Sequence, residues 1–101
     1  VTQLTTLEKQ SYEERIFEFD LSGLMATAAT IASVVSVVSV NQNLVGGSSN
    51  VTISGEVASG QSVKALFVGG TSQELYKITC KAIDTDGQKL EWDGYLAVRD
   101  V

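Results

Sequence analysis

Leu75-Tyr76-Lys77-Ile78-Thr79-Cys80-Lys81-Ala82-Ile83, then Asp84-Thr85-Asp86-Gly87-Gln88, then Lys89-Leu90-Glu91-Trp92-Asp93-Gly94-Tyr95-Leu96-Ala97-Val98, is the stretch whose reading decides the fold. Two runs alternate apolar with polar residues, and a short Asp/Gly-rich segment divides them. Alternation of period two marks a strand with one buried face. Asp-Gly between such runs signals a hairpin, because the turn needs residues that accept positive φ. The pattern places Tyr76, Ile78, Cys80 and Ala82 toward a core, with Leu90, Trp92, Leu96 and Val98 joining them from the partner strand. The rest of that core must come from upstream.

The upstream sequence supplies strands. Tyr12–Leu21 reads as one, with Phe17, Phe19 and Leu21 on one face and Glu18 and Asp20 on the other. Leu21-Ser22-Gly23-Leu24 reads as a turn or a single helical turn, and residues 25–32 as a loop. Ser33–Val40 has serine at every third position, which suits a helix face, yet five of its eight residues are valine, which favours a strand. Valine falls on both faces of that strand, so it is either covered twice or carries an interface. Residues 41–50 are turn-rich. Val51-Thr52-Ile53-Ser54 reads as a short strand and Gly55 as a bulge or bend. Ser59-Gly60 is a further turn, and Ser62–Val68 is a strand with Val63, Ala65 and Phe67 on one face. Gly69-Gly70-Thr71-Ser72 then turns into the closing hairpin. The reading is therefore all-β: an antiparallel immunoglobulin-like β-sandwich of about seven strands with turn signals about every ten residues. Residues 12–101 form the sandwich. Residues 1–11, with Val1, Leu4 and Leu7 spaced apart, form an extended N-terminal arm or edge segment, either frayed or laid on a neighbouring subunit. Tyr76 stands where a tyrosine corner would, the other reading being an ordinary core tyrosine.

Composition limits function. The 101 residues make one domain, and the net charge of −5 argues against nucleic acid and against anionic membrane surfaces. Histidine is absent, which removes the commonest general base and metal ligand. The one cysteine, Cys80, sits at an inward position. Leu21–Val40 has no charge over a membrane-length run, but four Ser, two Thr, one Gly and four Ala dilute it and no basic cluster flanks it. The sequence shows no leader-like n-region.

No constellation carries chemistry. Asp84-Thr85-Asp86-Gly87 has half the look of a calcium loop, but the twelfth residue is Tyr95 rather than glutamate, and a hairpin turn accounts for it. Glu8, Glu13, Glu14, Glu18 and Asp20 read as a solvated acidic face. Asn50-Val51-Thr52 fits a glycosylation sequon. Gly46-Gly47-Ser48-Ser49 lacks the lysine and helix of a phosphate loop. The expectation is a non-enzyme without cofactors or metal.

Ile16-Phe17-Glu18-Phe19-Asp20-Leu21-Ser22-Gly23-Leu24, Ala29-Thr30-Ile31-Ala32-Ser33, the Gly-Gly-Thr turn followed by Tyr76-x-Ile78-Thr79-x-x-Ala82, and Thr85-Asp86-Gly87-Gln88-Lys89 together resemble a group of small virion proteins of tailed bacteriophages. These are fibre–tail adaptors, or immunoglobulin-like neck and collar proteins. The resemblance spans residues 16–101 and implies a structural virion component, assembled in the bacterial host cytoplasm, that connects the neck or tail to fibres or a collar. It implies portal, neck, tail or fibre proteins as partners and several copies per particle, with no catalytic residues to carry over. A head-decoration protein and a bacterial surface or carbohydrate-binding module are the alternatives. Apolar residues on the arm and on the valine strand nominate Leu4, Leu7, Tyr12, Val35 and Val37 as the protein interface. Deletion of Val1–Gln10 is expected to leave a folded domain that no longer assembles.

Overall fold

The computed structural model describes residues 5–42 and 50–100. Seven strands follow in order: β1 (Thr5–Lys9), β2 (Arg15–Asp20), β3 (Ile31–Asn41), β4 (Val51–Ser59), β5 (Ser62–Gly69), β6 (Glu74–Asp84) and β7 (Lys89–Val98), with a 3-10 turn at Ser22–Leu24. They form two sheets, β1-β7-β6-β3 and β2-β5-β4. The orders β7-β6-β3 and β2-β5-β4 reproduce the G-F-C and B-E-D arrangement of immunoglobulin sandwiches. All pairings are antiparallel but one: β1 runs parallel to β7, from Thr5 opposite Gly94 to Lys9 opposite Val98. Thr5–Lys9, within the segment expected as an arm or edge, is thus an edge strand of the larger sheet. The boundary after Ser11 falls in the turn that leads to β2.

The closing hairpin has the expected register. Tyr76 pairs with Leu96, Ile78 with Gly94, Cys80 with Trp92 and Ala82 with Leu90. Tyr76, Ile78, Cys80, Leu96 and Val98 are fully buried, while Leu90 and Trp92 are partly buried against them. Phe19, Val63, Ala65 and Phe67 fill the opposite sheet's inner face. Phe17 and Phe19 meet Phe67 edge to face, with centroids 5.3 and 5.9 Å apart. Trp92 crosses between sheets and stacks on Phe19 at 4.5 Å. Burial of the Cys80 thiol pushes its pKa up to about 11, which makes it inert packing.

Strand β3 resolves the ambiguity of its serines. Its register against β6 shifts between Ile31 and Ser33 and again between Val34 and Ser36, so Ala32 and Val35 are extra residues. Val34 therefore faces Ala82, Val37 faces Cys80, and Ser39 faces Ile78. The inward positions run 31, 34, 37, 39, 41. Ser33 and Ser36 face outward opposite Ile83 and Lys81 while Ser39 faces inward opposite Ile78, so the serines share no face; two bulges, not a helix, set the spacing of three at 31, 34 and 37. The run Leu21–Val40 accordingly forms a 3-10 turn, a loop and a strand, and no helix among the described residues is long and apolar enough to cross a membrane. Gly55, at φ +64°, occupies a bulge between Ser54 and Val57, and β4 continues past it to Ser59. β4 is therefore longer than the four residues expected. β2 is shorter at its start, which leaves Tyr12 in a turn rather than in the strand.

Candidate interaction surfaces

One end of the sandwich is held by polar contacts between loops. The Tyr76 hydroxyl accepts from the Thr71 backbone N–H at 2.8 Å and donates to Asn50 Oδ1 at 2.6 Å. A tyrosine whose hydroxyl returns to the backbone just upstream is a tyrosine corner. Asn50 Nδ2 in turn donates to Thr71 Oγ1 at 2.8 Å. The sequon asparagine is thus engaged in holding a turn. Gly70, at φ +104°, lies where a Cβ would come within 2.8 Å of Val98 Cγ2. The Gly-Gly turn is required by space as well as by conformation.

Lys9 is nearly buried, and its ammonium donates to the carbonyls of Gly69 at 2.6 Å and Gln10 at 2.7 Å. Burial pulls its pKa down, with Glu13 and Asp100 opposing that shift. Ser11 donates from its backbone and its hydroxyl to Asp100 Oδ1 at 2.8 and 2.9 Å, which holds the Asp100 carboxyl below its ordinary value. These bonds join the β1–β2 turn to the chain's C-terminal end. Tyr12 projects from that turn, 96% exposed. Among the described residues it is the one exposed aromatic ring.

At the other end, Gln61 Nε2 donates to the Ala29 carbonyl at 2.9 Å and so anchors the loop that leads into β3. The buried Asp84 closes the β6–β7 hairpin: its Oδ1 accepts from the backbone of Asp86 at 3.0 Å and Gln88 at 2.8 Å. The Asp-Gly segment therefore acts as a turn. Among the described residues no group of three His, Cys, Asp or Glu is placed to hold a metal.

The expected interface residues separate. Leu4 lies outside the described residues. Leu7 and Val37 pack partly buried against the core. Tyr12 stands at the end of the sandwich. Val35, the bulged residue of β3, is 59% exposed. The structure adds Val38 and Val40, exposed on the outer face of the same strand opposite Thr79 and Lys77. Val35, Val38 and Val40 form a row along an outer strand without a charged residue. The other outer strands carry charge: Glu8 and Lys9 on β1, Arg15, Glu18 and Asp20 on β2, Glu56 on β4. Charge is the usual protection of a sheet edge, and β3 lacks it.

A second apolar surface lies on the outside of the three-stranded sheet. Ile16 and Val57 are strongly exposed and border a shallow depression with Leu66 and Lys64. Sequence reading missed it by treating the Glu18/Asp20 face of β2 as purely acidic, although Ile16 shares that phase. Leu66 gave the same signal, out of step with Val63, Ala65 and Phe67.

Fold and surfaces define a small immunoglobulin-like module with a buried core between its sheets and exposed apolar residues on the outside of both. Comparison with known families gives that module a place. The chain belongs to the family described as podophage GP4 fiber-tail adaptor protein gp77, whose model matches residues 9–97. This agrees with the resemblance carried by the phenylalanine strand, the Gly-Gly-Thr turn and the closing hairpin. The match begins at the last residue of β1. No curated protein matches the chain.

Proposed function

We propose that the protein is a non-enzymatic connector of a tailed-phage virion, joining the neck or tail to fibres or a collar through protein–protein contacts, with several copies in each particle. The observation that carries this reading is the uncharged valine row of β3, Val35, Val38 and Val40, on an outer strand of a phage fibre–tail adaptor fold. An exposed apolar row marks contact with a partner, and an unprotected outer strand suits extension by a partner's strand. Partners are other virion proteins, and assembly takes place in the host cytoplasm.

Quantitative mass spectrometry of purified virions tests the proposal by counting this chain against the portal and the major capsid protein. A count near the portal's is expected. A count near the capsid protein's, or absence from particles, overturns it. In the same assay the double variant Val38→Asp, Val40→Asp is expected to be lost from particles while it melts like the wild type.

A further inference from the structure

Proteins guard the outer strands of their sheets with charge, proline, bulges or a covering segment. Strand β3 ends the order β1-β7-β6-β3, so β6 is its only neighbour within the sheet. It carries no charge from Ile31 to Asn41, and the chain contains no proline. Its bulges both fall before Ser36. From Ser36 to Asn41 the pairing with β6 runs unbroken, opposite Lys81 to Tyr76. Side chains of this half reach solvent on both faces. Val38 and Val40 are 48% and 38% exposed on the outer face, and Val37, which faces the core, is only partly buried.

This half of the strand is complementary to itself. Its faces alternate strictly: Ser36, Val38 and Val40 point outward opposite Lys81, Thr79 and Lys77, and Val37, Ser39 and Asn41 point inward opposite Cys80, Ile78 and Tyr76. Antiparallel strands set residues of one face opposite each other. A second copy of β3 therefore fits only in registers that keep the alternation. Turning the strand about Ser39 keeps it over residues 37–41. Val38 then meets Val40 of the second copy and Val40 meets its Val38, while Ser39 meets Ser39 and Val37 meets Asn41. Both exposed valines are covered by valine, on the pleated surface that suits β-branched side chains. Neither strand brings a charge into the contact. Turning about Val38 also keeps the faces, but it sets Val40 against Ser36 and leaves it poorly covered.

We propose that two copies of the chain join edge to edge through β3, residues 37–41 pairing antiparallel about a two-fold axis at Ser39, so that their four-stranded sheets run on as one. The contact is isologous and closes on itself. The inference goes beyond the connector reading, since it names the strand that pairs with β3 and concerns only copies of this chain. Val35, on its bulge, lies outside the paired segment and remains available to a different virion protein.

Residues 37–41 make a small contact, of the size found in weak complexes. The test therefore uses the purified full chain in sedimentation velocity at concentrations up to about 1 mM, where weak association registers. The wild type is expected to sediment as monomer and dimer, with no loss of dimer as salt is raised, because no charge pair holds the contact. The double variant Val38→Asp, Val40→Asp sets carboxylates opposite one another and is expected to lose dimerisation about 100-fold, with a circular dichroism spectrum like that of the wild type. Val38→Cys mixed with Val40→Cys is expected to form a disulfide between the two variants on mild oxidation, because opposite residues of paired strands lie within disulfide reach. Cys80 is buried and does not compete. A monomeric wild type overturns the inference, as does a dimer that survives the aspartates or one whose introduced cysteines do not link. A monomeric wild type whose aspartate variant is nevertheless lost from virions leaves the connector reading intact and sinks this one. A chain that dimerises as expected but is absent from virions does the reverse.

Discussion

Removing one oxygen from Tyr76 tests how this sandwich fixes its end loops. In Tyr76→Phe the ring remains, fully buried between the sheets, so no cavity larger than the hydroxyl opens. Two hydrogen bonds disappear: from the Thr71 N–H at 2.8 Å and to Asn50 Oδ1 at 2.6 Å. A net contribution of about 1 kcal/mol for each gives a loss of about 2 kcal/mol. Thr71 and Asn50 are both exposed residues, so the groups released regain water. The larger penalty of a buried, unpaired donor does not arise. Urea denaturation should show the midpoint fall with the slope unchanged. The melting temperature should fall by about 10 °C. A double-mutant cycle with Asn50→Ala should return a coupling of about 1 kcal/mol, the part of the lock that passes through Asn50. Asn50→Ala alone also removes the bond to Thr71 Oγ1. A Tyr76→Phe variant within about 0.5 kcal/mol of the wild type and without coupling to Asn50 would make Tyr76 an ordinary core tyrosine and refute the corner.

Other perturbations test separate parts of the structure. Gly70→Ala places a methyl 2.8 Å from Val98 Cγ2 at φ +104°, and should cost about 3 kcal/mol in denaturation; Gly23→Ala, with open space around it, should be near neutral. Asp84→Ala removes the acceptor for the Asp86 and Gln88 backbone N–H groups and should cost about 2–3 kcal/mol. Asp84→Asn, which keeps an acceptor oxygen, should cost less, and calcium should leave the wild-type melting temperature unmoved. Asp100 has a folded pKa below its ordinary value of 3.8, so its contribution is present above that value and is lost as pH falls through the lower, folded one. Melting curves in that acid range should show the wild type losing stability faster than Asp100→Asn. Deletion of residues 1–10 removes β1, with Leu7 packed on the core and the Lys9 bonds to Gly69 and Gln10. It should therefore lower the melting temperature, so loss of assembly in that variant would report folding as well as contact.

The closing hairpin was readable because Tyr76 to Ala82 and Leu90 to Trp92 alternate on either side of one turn and the pairing between the strands runs on without a bulge. Local rules suffice there: the pleat sets the faces and the Asp-Gly segment sets the register. Val63, Ala65 and Phe67 were readable for the same reason. β3 and β4 were not, because each carries bulges that break the period on which the reading depends. The serines at 33, 36 and 39 looked helical, and Gly55 seemed to end a strand that in fact continues. The parallel pairing of β1 with β7 joins residues at opposite ends of the sequence, and no local pattern announces such a contact. Lys9 was invisible as a buried group, since its partners are the carbonyls of Gly69 and Gln10. The surfaces were half legible. Val35 was found because a valine-rich strand exceeds what one face can bury. Val38 and Val40 needed the bulged register to show which valines face out. Ile16 was hidden by the acidic residues around it.

The two bulges of β3 bear on how related chains should be aligned. Each absorbs one residue without moving the strand's partners, so loss of Ala32 or Val35 shortens the strand and leaves the pairs beyond it in place. Length variation in relatives is then expected inside this strand, where gaps are usually forbidden, as well as in the loops. An alignment that admits gaps only in loops would set every residue after the bulge against its neighbour's opposite face. It would match the Cys80-facing Val37 to an outward residue and mistake a preserved core for a lost one.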